Sequence, residues 1–130
     1  MIINNIECPN FKSDEFKCKC GCGLANPSPR LLIRLNKFRR FLGEPVHITS
    51  GSRCLDHNRS IGSKDTSSHV PKGENDYTDA SDIETKNSAQ RFRFLQAAHA
   101  AGFTRIGFGK GFIHLDVDLF KADNVMWDYY

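Results

Sequence analysis

Phe103-Thr104-Arg105-Ile106-Gly107-Phe108-Gly109-Lys110-Gly111-Phe112-Ile113-His114-Leu115-Asp116-Val117 carries the clearest pattern in the chain. Residues 103–108 and 112–117 are rich in β-branched and aromatic side chains, and Gly109-Lys110-Gly111 between them is a turn sequence. The spacing predicts an antiparallel hairpin. Successive side chains of a strand point to opposite faces. Ile113, Leu115 and Val117 therefore share a face suited to a core, and His114 and Asp116 share the other. A histidine beside a carboxylate on one strand face makes either a solvated surface or a site.

Before the hairpin, Asn87 or Ser88 can cap a helix that runs through Phe92, Leu95, Ala98 and Ala101 to Gly102. Ala80-Ser81-Asp82-Ile83 reads as a short strand. Ser28 as a cap, Pro29 in the first turn and Leu31, Leu32, Leu35, Phe38 and Leu42 at helical spacing predict another helix, ending at Gly43. Val46 and Ile48 alternate in a strand over residues 45–50. Residues 51–78 are polar and turn-rich, and segments of that length without regular structure inside a domain are usually functional. Residues 1–27 read as an irregular, cysteine-containing lead-in whose Phe11 and Phe16 cap the core. Trp127, in the tail 120–130, is expected to pack on the sheet. This order of elements implies an α+β fold, a small and mostly antiparallel sheet flanked by helices, in one domain over residues 1–130.

At 39% hydrophobic and 25% charged residues, composition excludes disorder as the default. No window approaches the roughly 18 apolar residues that a membrane-spanning helix needs. The net charge of +3 is mild, and the basic positions Arg34, Lys37, Arg39 and Arg40 fall on a helical stretch as an exposed face. No basic stripe interleaved with aromatics argues for nucleic acid, and a monomer is expected. Met1 to Glu7 shows neither a basic nor an apolar region of a secretory signal. Five cysteines leave at least one unpaired unless a metal or a second chain takes it. Cys18-Lys19-Cys20-Gly21-Cys22-Gly23 is read either as a second, structural metal site or as a Gly-rich turn with packed or disulfide-linked thiols that involve Cys8 or Cys54.

Ser67-Ser68-His69 is followed by Asp76, Asp79 and Asp82, and His114 stands in the hairpin. Histidine and carboxylate suit zinc, and three protein ligands with one open position make a catalytic site. Asp116 shares a face with His114 and is the candidate to accept a proton from metal-activated water. Arg53 offers a planar fork for a substrate carboxylate.

The ordered set Thr49-Ser50-Gly51-Ser52-Arg53, His57-Asn58, Gly62, Ser67-Ser68-His69, Ala80-Ser81-Asp82-Ile83 and Phe112-Ile113-His114-Leu115-Asp116 resembles the zinc D-Ala-D-Ala carboxypeptidase family. The resemblance covers nearly the whole chain. It implies a zinc peptidase of peptidoglycan, a carboxypeptidase or a cross-link endopeptidase, with zinc on His69, Asp82 and His114. Arg53 would contact substrate, with Ser67 and Asn58 supporting the site from behind. The substrate would lie outside the cytoplasm, reached by a route such as release of a virus-encoded lysis enzyme through a separate pore. Two departures stand out. The family's aspartate falls seven residues after the first histidine, at Asp76, whereas Asp82 has the expected Ala-x-Asp-Ile context, so residues 74–79 read as an insertion. Gly111 occupies the position, three before His114, where several relatives keep their base. The alternative function is a non-catalytic zinc-containing module that binds cell wall or signals.

Overall fold

The computed structural model describes residues 1–72 and 76–129. In chain order its elements are β1 (Ile2–Ile3), β2 (Ile6–Glu7), a 3-10 turn (Ser13–Phe16), α1 (Pro29–Leu42), β3 (Ile48–Ser50), α2 (Leu55–Ser60), β4 (Ala80–Glu84), α3 (Ser88–Ala100), β5 (Arg105–Gly109), β6 (Phe112–Asp116) and β7 (Val125–Asp128). The fold is α+β. A five-stranded sheet runs in the order β3-β4-β6-β5-β7, antiparallel except for the β5–β7 pair.

Both long helices end where their side chains and backbone require. Ser28 accepts the Leu31 N–H at the start of α1, and Gly43 closes it in the left-handed conformation. Asn87 caps α3 through the N–H of Gln90. Leu31, Leu32, Leu35 and Phe38 of α1 meet Phe94, Ala97 and Ala98 of α3, with Phe38 and Phe94 edge to face at 5.6 Å. Ile83, Ile106, Ile113 and Leu115 complete this core from the sheet. Burying each such Leu, Ile or Phe contributes about 1.5–3 kcal/mol.

Three segments differ from the sequence expectation. The lead-in is not wholly irregular: Asn4 and Asn5, both at positive φ, turn β1 back onto β2, and Ile3, Cys8, Phe11 and Phe16 join the main core. The polar stretch 51–78 contains α2, capped by the sulfur of Cys54. The tail forms β7, a parallel edge strand along β5, which is how Trp127 reaches the sheet.

Candidate metal centre

β4 and β6 are paired so that Asp82 lies directly opposite His114 and Ala80 opposite Asp116. Residues opposed across an antiparallel pair share a face. The alternation that sends Ile83, Ile113 and Leu115 into the core therefore aims Asp82, His114 and Asp116 at the other side of the sheet. That side is not open water, since all three are buried. It forms the floor of a cleft of about 450 Å³.

His69 arrives from the polar segment after α2. Its carbonyl accepts hydrogen bonds from the Arg53 N–H and the Thr78 hydroxyl, each at 3.0 Å, and the Ser67 hydroxyl accepts the His69 N–H at 3.3 Å. Its ring Nδ1 lies 2.7 Å from the carbonyl of Gly51. A carbonyl only accepts, so Nδ1 carries the proton and Nε2 presents a bare lone pair. Among the described residues, buried Nε2 has no hydrogen-bond partner, and it stands 3.3 Å from Asp82 Oδ1. Burial, opposed by the charge and hydrogen bond of Asp82, holds the His69 pKa below the usual histidine value.

His114 faces a carboxylate at each nitrogen: Nδ1 is 2.8 Å from Asp82 Oδ1 and Nε2 is 2.7 Å from Asp116 Oδ2. Burial works to lower its pKa, but the hydrogen bonds and charges of Asp116 and Asp82 prevail and raise it. Burial likewise works to raise the pKa of Asp82 and Asp116, and the adjoining histidines outweigh it, so both are lowered. Both oxygens of Asp116 are engaged. Its Oδ1 also takes the Arg105 Nε–H at 2.6 Å and the Asp118 N–H at 3.1 Å. Arg105 is in turn covered by Trp127, whose ring lies 5.0 Å from the guanidinium carbon.

His69, Asp82 and His114 thus converge, each with a donor atom within 4.8 Å of the others. Zinc bonds of about 2.0–2.2 Å at tetrahedral angles would separate neighbouring donors by about 3.4 Å. The orphaned Nε2 of His69 and the short approach of Asp82 Oδ1 to both rings fit a bound cation. Each histidine directs its other nitrogen to an oxygen acceptor, the usual device for orienting a metal-ligating imidazole. Asp76 is exposed and apart from this cluster, with its carbonyl bonded to Asn26. Glu74 and Asn75 of the expected insertion lie outside the described residues. His47 and His99 are exposed, and among the described residues neither they nor His57 joins a donor group.

Arg53 lines the cleft beside the centre. Its Nε donates to Ser50 at 3.1 Å, Nη1 to Asn58 Oδ1 at 3.2 Å, and Nη2 is 3.5 Å from Asp82 Oδ2. Asn58, completely buried, is itself anchored by donating to the Lys64 carbonyl. Burial lowers the Arg53 pKa, with Asp82 pulling the other way.

Several residues of the site were not foreseen from sequence. Arg105 was signalled by strand alternation, which places it with Gly107 on the side of His114. Gly107 is paired with His114 across the sheet. A Cβ there would stand 2.8 Å from the Trp127 ring and 2.9 Å from that of Tyr129, so glycine admits both aromatics over the centre.

His69, Asp82 and His114 form a group that could hold a metal ion on the floor of the cleft, with three protein donors and open space beside them. The chain belongs to the Peptidase M15 family, whose profile matches residues 9–116. That family is zinc D-Ala-D-Ala carboxypeptidase-like, and its peptidases are metal-dependent. No curated protein matches the chain.

Proposed function

We propose that the protein is a zinc peptidase that hydrolyses peptide bonds of bacterial peptidoglycan, with zinc held by His69 Nε2, Asp82 and His114 Nδ1. The observation that carries this reading is the bare, buried Nε2 of His69 aimed at the carboxylate that already meets His114. Zinc in such a site polarises a peptide carbonyl and brings the pKa of a bound water towards neutrality. The remaining work falls to the chain itself. Gly51 and Asp116 fix the two imidazoles, and Arg105 with the Asp118 N–H fixes Asp116. Arg53, Lys64 and Lys121 line the cleft and give it a positive wall suited to the carboxylates of a peptidoglycan stem. Arg53 is the residue placed to hold a substrate carboxylate, and Asn58 keeps its fork in position.

Asp116 takes a positioning role in this reading. With both oxygens committed to His114, Arg105 and Asp118, it orients His114 in place of accepting the proton of the attacking water. The same observation favours a second reading, a zinc module without turnover. Asp82 and Asp116 are the carboxylates among the described residues that line the cleft, and both are engaged.

Digestion of purified peptidoglycan, with and without chelator and followed by mass analysis, tests the proposal. Chelator-sensitive release of a terminal D-alanine or a cut cross-bridge is expected. No release from protein whose His/Asp centre is loaded with zinc would overturn the peptidase reading in favour of the non-catalytic module.

A further inference from the structure

A second donor cluster lies outside the cleft. The sulfurs of Cys18, Cys20, Cys22 and Cys54 all fall within 4.8 Å of one another, and none is in a disulfide. Three of the separations are 3.5 Å (Cys18–Cys20), 3.9 Å (Cys18–Cys54) and 3.6 Å (Cys20–Cys54). A disulfide requires about 2.05 Å. Four thiolates on one zinc ion, with bonds of about 2.3 Å at tetrahedral angles, stand about 3.8 Å apart. The observed spacings match the single ion, and they are too short to surround a multi-iron cluster.

This convergence is built by the backbone. In an extended strand, cysteines two apart would lie about 6.6 Å from each other. Gly21 and Gly23 adopt positive φ, 86° and 87°, and curl Cys18-Lys19-Cys20-Gly21-Cys22 into a knuckle. Bonds from the Cys18 N–H to the Leu24 carbonyl and from the Gly21 N–H to the Cys18 carbonyl close it. The fourth sulfur comes from far along the chain, at the start of α2.

An independent observation points the same way. Two backbone N–H groups aim at sulfur: that of Cys54 at Cys18 Sγ and that of His57 at Cys54 Sγ, both at 3.4 Å. Thiolate accepts such bonds far better than thiol does.

We propose that Cys18, Cys20, Cys22 and Cys54 hold a single structural zinc ion, separate from the His/Asp centre, that pins the lead-in to the start of α2. The spacing of one residue between cysteines, shorter than the usual two or more, is accommodated because Cys54 completes the set and the glycines supply the curl. The site is closed, with four protein sulfurs and no place for substrate. Its mechanical effect falls on the cleft wall, because Cys54 directly follows Arg53, and Gly51 and Ser52 just before it pack on the backbone of Phe16.

The test is zinc content by mass spectrometry of the full chain, purified under reducing conditions without chelator. Wild type should carry about two equivalents per chain, while C20S/C22S and H69A/H114A should each carry about one. Cobalt-substituted wild type and H69A/H114A should show an intense thiolate-to-metal charge-transfer band that C20S/C22S lacks. Equal zinc in C20S/C22S and wild type would overturn the proposal. Cys20 and Cys22 are exposed, so serine there disturbs no packing. Should that variant fail to fold, wild type decides alone. A missing charge-transfer band, or disulfides among these cysteines after alkylation under denaturing conditions, would overturn the site.

Discussion

His69, Asp82 and His114 are buried and held by strands and a tightly bonded loop, whereas Cys18, Cys20, Cys22 and Cys54 gather where two loops meet and two of them are exposed. Around the first group every remaining donor or acceptor is spoken for. Gly51 takes one imidazole N–H and Asp116 the other, and Arg105 steadies Asp116. Around the second group the sulfurs mostly see each other. On the assignments proposed above, the contrast follows from what each site would have to do. A centre that keeps a position open for substrate needs its geometry set by the protein before any ion arrives. A closed tetrathiolate can be ordered by the ion itself, which then supplies stability to its surroundings.

The sharpest break in this comparison comes from Asp82. Asp82→Ala should empty the His/Asp centre and reduce hydrolysis to background while the thiol-bound zinc stays, and Asp76→Ala should change neither. Zinc analysis with a peptidoglycan digestion assay would check both variants, and a larger effect at Asp76 would relocate the centre. Next in size is Asp116→Asn. As a positioning residue it should weaken zinc affinity about 10–100-fold. Unchanged affinity with lost turnover would return Asp116 to the role of proton acceptor.

Acid should separate the two sites by slope. On the proposed ligand set a proton on His114 Nδ1 would occupy the place of the ion, and the pKa of this ring is raised. Zinc binding at the centre must expel that proton. Affinity should therefore fall about tenfold for each pH unit below the raised value. The thiol site must expel protons from several sulfurs and should fall more steeply. Competition titrations at stepped pH would measure both slopes. The smallest effect on the centre is expected from Gly51→Ala, which touches both regions. A Cβ there meets the Phe16 backbone at 2.8 Å. Unfolding in urea should show a loss of about 1–3 kcal/mol, with only a few-fold change in zinc affinity as the carbonyl holding His69 shifts.

What could be read in advance was what the chain writes locally. Ser28, Pro29 and Gly43 bracket α1 with its apolar spacing, and the Gly-Lys-Gly turn between two apolar runs announces β5 and β6. The alternation that put His114 and Asp116 on one face held, because Ile113 and Leu115 need the other. The order of motifs was enough to suggest His69 and Asp82 as their companions. Long-range closure was not legible. β7 pairs in parallel with β5, a contact no local pattern encodes. α2 is six residues long and capped by a sulfur, outside the usual Ser, Thr, Asp or Asn. Alternation in β5 signals the face of Arg105, but its pairing with Asp116 stays hidden until the register is known. Asn4-Asn5 was a missed signal, for asparagines at positive φ favour a tight hairpin turn.

Trp127 is the sole tryptophan of the chain, and its ring centroid lies 5.5 Å from that of His114, with Arg105 stacked beneath it. Its emission therefore originates at one wall of the cleft and nowhere else in the molecule. Charging or neutralising the neighbouring imidazole, or displacing solvent above the indole, alters that light directly. The protein carries its own optical reporter, able to follow occupancy of the centre in real time without a dye or an engineered label.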